Sequence, residues 1–182
     1  VDITADSRTA FVTVMGSTKI AQIDLESFDL TYIQDVGRSP RSLILCEHDS
    51  SMFISLNSGS SVTKYNRFTK EKVVCRTGSG PRSMTLSPEE DYLYVVNYFD
   101  NSFSKIETKE MVEVERVNTS DKPIGICANW DDSEIWVACY SGRIEIFKDF
   151  HLDSLHHGTS MLGFDLSSFW SFNRPTNTTS EV

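Results

Sequence analysis

Positive charge is scarce in this chain of 182 residues. The sequence contains 17 Lys and Arg against 26 Asp and Glu, which gives a formal net charge of −9 at pH 7. The basic residues are scattered along the chain and form no dense cluster. Proteins that follow a nucleic-acid backbone need a concentrated basic surface. The composition therefore predicts an acidic protein without a nucleic-acid partner.

Long apolar runs are also missing. A membrane-spanning helix needs about 20 consecutive apolar residues, and no segment approaches that length. The first residues contain no positively charged region followed by an apolar core, the pattern of a secretory leader. The sequence thus predicts no membrane span.

Residues typical of metal sites and catalytic centres are few and poorly spaced for those roles. The chain has four cysteines: Cys46, Cys75, Cys127 and Cys139. They form no C-x-x-C pair and no metal-finger spacing, so we expect buried free thiols. His156 and His157 are adjacent, and adjacent side chains on a strand point to opposite faces, which disfavours a shared metal ion. No G-x-S-x-G motif occurs. We therefore predict no catalytic residue, no metal and no cofactor.

What the sequence does contain is a repeat. Apolar residues make up 39% of the chain and aromatic residues 11%, which is typical of a folded domain. One apolar pair recurs at nearly even spacing: Phe11-Val12, Phe53-Ile54, Leu93-Tyr94 and Ile135-Trp136. A second set of anchors recurs at almost the same interval: Ile23, Tyr65, Ile106 and Phe147. The apolar runs are too short and too evenly spaced for helices, so we predict strands.

Turn-forming residues separate the predicted strands at matching places. The fourth strand of each unit ends at a residue type that accepts a positive φ: Gly37, Gly78, Asn118 and Gly158. A proline follows in three units, shortly before the next strand: Pro40, Pro81 and Pro123. Proline lacks a backbone donor and is tolerated at the start of a strand. These signals place the boundaries between units.

Four short strands in each unit of about 41 residues match the size of one β-propeller blade. We predict an all-β fold of four-stranded antiparallel blades, a partial propeller over residues 1–170. The units cover residues 1–42, 43–83, 84–125 and 126–163, with the last fourth strand at Leu152 to Leu155 and a fifth unit starting at 164. Since both ends supply a first strand, we expect an arc of a larger propeller. The polar residues 171–182 are predicted to be a disordered tail.

The third unit carries the most distinctive motif. A Ser-Pro-x-x-Asp turn precedes Leu93-Tyr94-Val95-Val96-Asn97, and Asn101-Ser-Phe-Ser-Lys-Ile106 follows. This pattern resembles the YVTN repeat of β-propeller proteins, with Tyr94 to Asn97 in the signature position. The resemblance covers residues 1 to about 166, although residues 53–57 read FISLN and residues 135–139 read IWVAC. It implies a ring of about seven blades and a secreted or periplasmic location. The cytoplasm is the alternative, because free thiols are more typical of a reducing compartment.

Two arginines are candidates for ligand binding. Arg41 and Arg82 each follow the proline that leads into a first strand, and first strands line the central channel of a propeller. We expect both guanidinium groups beside the channel mouth, where they could hold a carboxylate or phosphate group. The alternative is that both are solvated or paired with carboxylates. Ile124 and Leu162 occupy the corresponding positions of the last two units, so such a site would be one-sided.

The loop that follows the signature contains Tyr98 and Phe99. We expect this loop on the same face as the arginines. Exposed aromatic rings there would suit a protein or glycan partner. The alternative is that the rings fold back onto the blade.

The leading functional hypothesis is a non-catalytic binding or scaffold module that presents one face to a protein, glycan or small anionic ligand. The resemblance also implies an alternative, a fragment of a lactonase-like or haem-bearing propeller enzyme whose active residues lie in other blades. A scaffold of the WD-repeat kind is less favoured, because no Gly-His landmark occurs and the Trp-Asp landmark does not recur from unit to unit.

Overall fold

The computed structural model describes residues 1–47, 50–129, 133–148 and 170–171, and these residues form β-strands and turns without a helix. No helix within these ranges offers a membrane-spanning segment. The first two sheets contain β1 (Asp2–Ile3), β2 (Thr9–Val14), β3 (Lys19–Asp24), β4 (Leu30–Ile33), β5 (Pro40–Leu45), β6 (Ser51–Leu56), β7 (Ser61–Asn66) and β8 (Lys72–Arg76). The other two contain β9 (Pro81–Leu86), β10 (Tyr92–Asn97), β11 (Ser102–Glu107), β12 (Val112–Asn118), β13 (Pro123–Ala128), β14 (Glu134–Cys139), β15 (Ile144–Lys148) and β16 (Trp170–Ser171).

Each sheet contains four antiparallel strands in chain order, and we number these sheets as blades 1 to 4. Hairpin turns join the strands because short polar segments separate the apolar runs. The first strands of blades 2, 3 and 4 lie side by side, as expected for strands at the inner edge of a propeller. The all-β prediction of four-stranded antiparallel blades is confirmed, and the chain forms a partial β-propeller arc.

Successive blades pack through one repeated contact. We call the side of each second strand that carries Phe11, Phe53, Tyr94 or Trp136 the forward face of its blade. The opposite side, with Ala10, Met52, Leu93 or Ile135, is the backward face. Each described junction joins the forward face of one blade to the backward face of the next. Phe11 and Ile20 pack with Met52 and Ile54 between blades 1 and 2. Phe53 and Val62 pack with Leu93 and Val95 between blades 2 and 3, and Tyr94 and Phe103 pack with Ile135 and Val137 between blades 3 and 4.

The predicted register of the second strands is wrong by one residue between units two and three. Strand pairing makes Ile54, Val95 and Val137 equivalent, because they pair with Leu43, Met84 and Ile126. Phe53 therefore corresponds to Tyr94 and not to Leu93. Both faces of an inner blade are buried, so neighbouring strand residues are equally apolar and apolarity alone does not define the register. The third-strand anchors are in the correct register, since each pairs with an equivalent backward-face residue.

The end of blade 4 differs from the sequence prediction. Trp170–Ser171 pairs with β15 in the position of a fourth strand, whereas the sequence predicts that residues 164–170 open a fifth unit. Pairing here satisfies the backbone groups along the free edge of β15. The predicted fourth strand at Leu152 to Leu155 and the tail beyond residue 171 lie outside the described residues.

Candidate functional site

The loops that lead into the first strands share one backbone conformation. The residue before each proline has a positive φ, namely 52° at Ser39, 69° at Gly80 and 56° at Lys122. The sequence predicts a positive φ at Gly37, Gly78 and Asn118, which lie two to four residues before these positions. Of these three residues only Gly37, with a φ of 125°, fits the prediction. Gly78 is needed for a different reason: a Cβ atom there would lie 2.7 Å from Cγ of Asn97.

A β-bulge follows each of these prolines. In blade 2, Pro40 pairs with Leu56 and Ser42 with Ser55, so Arg41 has no partner across the strand. The same shift occurs at Ile124 of blade 4, and in blade 3 it spans Arg82 and Ser83. Bulges commonly re-aim a side chain next to a functional site. The repeated bulge therefore gives Arg41, Arg82 and Ile124 the same orientation in three successive blades.

Backbone hydrogen bonds place aromatic residues beside these bulges. The Tyr98 amide donates to the Gly80 carbonyl at 3.0 Å, and the Tyr140 amide donates to the Lys122 carbonyl at 2.8 Å. The loop after each second strand is thereby attached to the loop that leads into the first strand of the same blade. Tyr98 and Arg82 therefore lie next to each other.

The re-aimed side chains line one open cavity of about 310 Å³. Its lining residues come from three blades: Arg41, Ser42, Arg82, Ser83, Ile124 and Tyr140. The Ser83 hydroxyl donates to the Ile124 carbonyl at 2.7 Å and so links blades 3 and 4 at the cavity. The structure thus brings both predicted arginines to the same cavity, with Ile124 completing the row.

Arg82 is held in a fixed position. Its Cζ lies 3.5 Å from the centroid of the Tyr98 ring, a close cation–π stack. Its Nε is buried and has no hydrogen-bond partner among the described residues. Burial lowers the pKa of Arg82, and the positive charge of Arg41 lowers that pKa further. The Arg82 guanidinium group is therefore partly desolvated and next to a like charge.

Neither arginine has a compensating negative charge in the described structure. Within residues 1–47, 50–129 and 133–148, no carboxylate forms an ion pair with Arg41 or Arg82. The only polar contact of the Arg41 guanidinium there is weak, with Nη1 3.2 Å from the Met15 sulfur. Two cations at a shared cavity without a nearby anion favour the binding of an anion from solution.

The two aromatic residues predicted on this face have different surroundings. Tyr98 is half-buried between the Arg82 guanidinium and the Phe99 ring, whose centroid lies 5.0 Å away in an edge-to-face arrangement. Phe99 is 63% exposed, although one side of its ring covers Gly80, where a Cβ atom would come within 2.4 Å. Tyr98 therefore supports the arginine, and Phe99 remains accessible at the rim.

Sequence reasoning missed Tyr140. It occupies the same position in blade 4 as Tyr98 in blade 3, one repeat length further along the chain. The spacing of one repeat length between Tyr98 and Tyr140 is the sequence signal that could have identified this residue. Tyr140 is exposed and lines the same cavity as the arginines.

The part of the chain that the structure describes has few other side chains suited to metal binding or catalysis. No group of three or more His, Cys, Asp or Glu side chains is arranged to hold a metal ion there. All four cysteines are free thiols. Cys46, Cys75 and Cys139 are buried as expected, whereas Cys127 is exposed on the forward face of blade 4. The four histidines, including His156 and His157, lie outside the described ranges.

Comparisons with known proteins identify the fold but no family. No protein-family model matches the sequence, and no curated protein matches it. Among solved structures, a functionally unknown protein from Desulfotomaculum acetoxidans has a TM-score of 0.71 and 18% identity, over 84% of this chain and 51% of its own. Kuenenia stuttgartiensis hydrazine synthase has a TM-score of 0.72 and 16% identity, over 80% of this chain and 44% of its own. A proposed 6-phosphogluconolactonase from Bacteroides fragilis has a TM-score of 0.69 and 19% identity, over 81% of this chain and 49% of its own.

These identities are too low to transfer an activity, and the likeness concerns the fold alone. This chain spans about half the length of each of the three solved structures. The four sheets and the three structural matches agree, and the chain has the fold of a partial β-propeller.

Proposed function

We propose that this chain is a non-catalytic binding module, and that the cavity at Arg41 and Arg82 holds an anionic group. The observation that carries the proposal is the pair of guanidinium groups at one cavity without a carboxylate partner among the described residues. A carboxylate or phosphate matches the planar donor fork of an arginine and can accept two hydrogen bonds from it. The group can belong to a protein, a glycan or a small anionic ligand.

The surroundings of Arg82 support strong binding at this position. Stacking on Tyr98 fixes the plane of the guanidinium group before a ligand arrives, so less side-chain entropy is lost on binding. The unpaired Nε supplies a donor that is not engaged by the described protein atoms. Phe99 and Tyr140 add exposed aromatic area at the rim, which suits a protein or sugar surface beside the anionic group.

The repeat type and location are part of the same proposal. The Tyr94 to Asn97 strand is fully buried, as a blade signature should be, and supports assignment to the YVTN type. A secreted or periplasmic location follows from that assignment. The second candidate is a fragment of a propeller enzyme, because two of the similar structures are named as a hydrazine synthase and a proposed 6-phosphogluconolactonase.

The test is a titration of the chain with citrate and with inorganic phosphate at low ionic strength. Nuclear magnetic resonance would follow the arginine Nε–Hε signals, which report directly on Arg41 and Arg82. Charge-assisted hydrogen bonds contribute about 1.5–3 kcal/mol. We therefore expect Arg82→Gln to weaken binding by about tenfold or more, and Arg41→Gln to weaken it in the same direction.

Arg76→Gln is the matched control, because it removes one exposed positive charge on β8, away from the cavity. Equal weakening in Arg76→Gln would mean a general charge effect and would contradict the proposal. Unchanged binding in the Arg41 and Arg82 double variant would also contradict it. Hydrolysis of 6-phosphogluconolactone, or a haem absorbance in the purified protein, would favour the enzyme candidate instead.

A further inference from the structure

The cavity at Arg41 and Arg82 carries two positive charges. Among the described residues its lining consists of these two arginines, two serines, Ile124 and Tyr140, without a carboxylate side chain. The whole chain has a formal net charge of −9, so the charge of this lining is opposite to that of the protein. An anion that enters the cavity is attracted by both guanidinium groups.

The acidic residue closest in sequence to the Tyr98 stack is engaged elsewhere. Asp100 follows Tyr98 by two residues, and its Oδ2 accepts a hydrogen bond from the Ser79 amide at 2.6 Å. The same oxygen lies 4.0 Å from Nη1 of Arg116, which does not line the cavity. The carboxylate of Asp100 therefore does not neutralise Arg82.

The donors at the cavity are held in different ways. The Tyr98 ring covers one side of the Arg82 guanidinium, with Cζ 3.5 Å from the ring centroid, so Arg82 is fixed. Arg41 has no ion pair and no ring stack in the described part of the chain, and its guanidinium contacts only the Met15 sulfur. The Ser42 hydroxyl also lines the cavity and makes no hydrogen bond to the described residues. One fixed cation, one adjustable cation and a hydroxyl can thus contact different oxygens of one ligand.

We propose that the cavity selects a dianion over a monoanion, with the two charges either on one tetrahedral group or on two carboxylates of one small ligand. This inference rests on the proposed function and adds the charge of the ligand to it. Burial lowers the pKa of Arg82, and the positive charge of Arg41 lowers it further, so the two cations act on each other. A monoanion leaves one of the two charges uncompensated, whereas a dianion compensates both.

The test compares two probes of similar shape and different charge on the whole chain at low ionic strength. Methyl phosphate loses its second proton at about pH 6 and is then a dianion, whereas methyl sulfate stays a monoanion. Arginine Nε–Hε signals measure both affinities. We expect methyl phosphate to bind about tenfold more tightly than methyl sulfate at about pH 7.5, and about twofold more tightly at about pH 5. The groups that act on the charge of Arg82 are Arg41, Tyr98 and Tyr140, and methyl sulfate controls for any titration of the protein.

Two substitutions at one position separate the effect of charge from that of shape. Arg41→Gln removes one of the two cations, so the advantage of methyl phosphate should fall to about threefold or less. Arg41→Lys keeps the charge and should keep most of the advantage. Arg76→Gln removes an exposed charge on β8, away from the cavity, and should leave the advantage unchanged.

Malonate and acetate repeat the comparison with carboxylates at about pH 7.5. Preference for malonate alone would assign the site to a dicarboxylate, and preference for methyl phosphate alone would assign it to a tetrahedral group; each supports selection of a dianion. Equal affinity within both pairs, with binding lost in the Arg41 and Arg82 double variant, would overturn the dianion preference and leave the proposed function standing. Binding of none of the four probes would overturn both.

Discussion

The junction between blades 2 and 3 and the forward face of blade 4 use equivalent positions with different outcomes. Phe53 and Val62 are completely buried by blade 3, while Trp136 and Ile144 remain exposed. Local sequence does not separate the two regions, because all four side chains are large and apolar. Burial of a blade face therefore depends on the neighbouring blade, and the strand itself supplies only the potential for it.

A lysine position distinguishes the inner blades from blade 4. Lys64 and Lys105 lie on the forward faces of blades 2 and 3, and Ile146 is their equivalent in blade 4. The Lys64 Nζ donates to the Thr108 carbonyl at 3.1 Å, across the junction to blade 3. The Lys105 Nζ lies 4.2 Å from the centroid of the Tyr92 ring, and this lysine is buried. The inner junctions thus include satisfied cations at a position where blade 4 has an apolar residue.

The largest expected effect comes from truncating equivalent aromatic residues in the two regions. Phe53→Ala removes a fully buried ring from a junction and should lower the free energy of unfolding by about 3–5 kcal/mol. Trp136→Ala should lower it by about 1 kcal/mol or less, because this ring is 39% exposed. Urea unfolding followed by circular dichroism measures both values.

Phe68→Ala is the control for this pair, since it truncates an exposed ring in a turn and should change the free energy of unfolding by less than about 0.5 kcal/mol. A cost for Trp136→Ala as large as that for Phe53→Ala would mean that the Trp136 ring is buried as completely as the Phe53 ring, and it would contradict the prediction.

Much of the fold was predictable because the repeat places prolines and apolar anchor residues at equivalent positions in successive units. The prolines at positions 40, 81 and 123 do begin the first strands, and the third-strand anchors are in the correct register. The second-strand register was not predictable from apolarity, because Leu93 and Tyr94 are both fully buried on opposite faces. A blade packed on both sides lacks the polar alternation that fixes register in a half-exposed sheet.

The candidate site was predictable only in part. Equivalent spacing placed Arg41 and Arg82 on one face, and the structure places them at one cavity. The stacking of Arg82 on Tyr98 depends on a β-bulge and on backbone bonds between two loops. Neither feature has a residue signature at this position, since Arg41 and Ile124 occupy equivalent bulges. Tyr140 was detectable from its spacing but has meaning only once the cavity is known.

The next largest expected effect is a difference in alkylation rate between the exposed thiol of Cys127 and the buried thiols of Cys75 and Cys139. Burial raises the pKa of Cys75, and the negative charge of Glu113 raises it further. Burial together with Glu145 raises the pKa of Cys139 to about 11. Cys127 is exposed. Because the thiolate is the reactive form, we expect iodoacetamide at pH 8 to modify Cys127 about tenfold faster or more than Cys75 or Cys139. Mass spectrometry of digested peptides at successive times measures the three rates.

Unfolding in urea should bring the three rates together, which controls for differences in local sequence. Faster modification of Cys139 than of Cys127 in the folded protein would contradict the assignment of buried and open surfaces.

The smallest effect contrasts two equivalent turns, one in an end blade and one in an inner blade. Asp24 of blade 1 accepts hydrogen bonds from the amides of Glu26 and Ser27, both at 2.9 Å. Asn66 of blade 2 accepts the same two bonds from Phe68 and Thr69, also at 2.9 Å. The amide donors of Ser27 and Glu26 lower the pKa of Asp24. A lowered pKa stabilises the folded state at neutral pH, and this contribution is lost as pH falls through the folded pKa.

Asp24→Asn keeps the acceptor but removes the charge, so it should have a slightly lower melting temperature than the unmodified chain at pH 7. The difference should begin to shrink as the pH falls below about 4, the ordinary pKa of an aspartate, and should disappear only below the lowered pKa of Asp24 in the folded state. Asn66→Asp is the reciprocal variant and should gain stability at neutral pH with the same pH dependence. Thermal unfolding of the three proteins between neutral and acidic pH measures these differences. If the difference between Asp24→Asn and the unmodified chain stayed constant with pH, the charge of Asp24 would not contribute, and the two turns would be energetically equivalent despite their different residues.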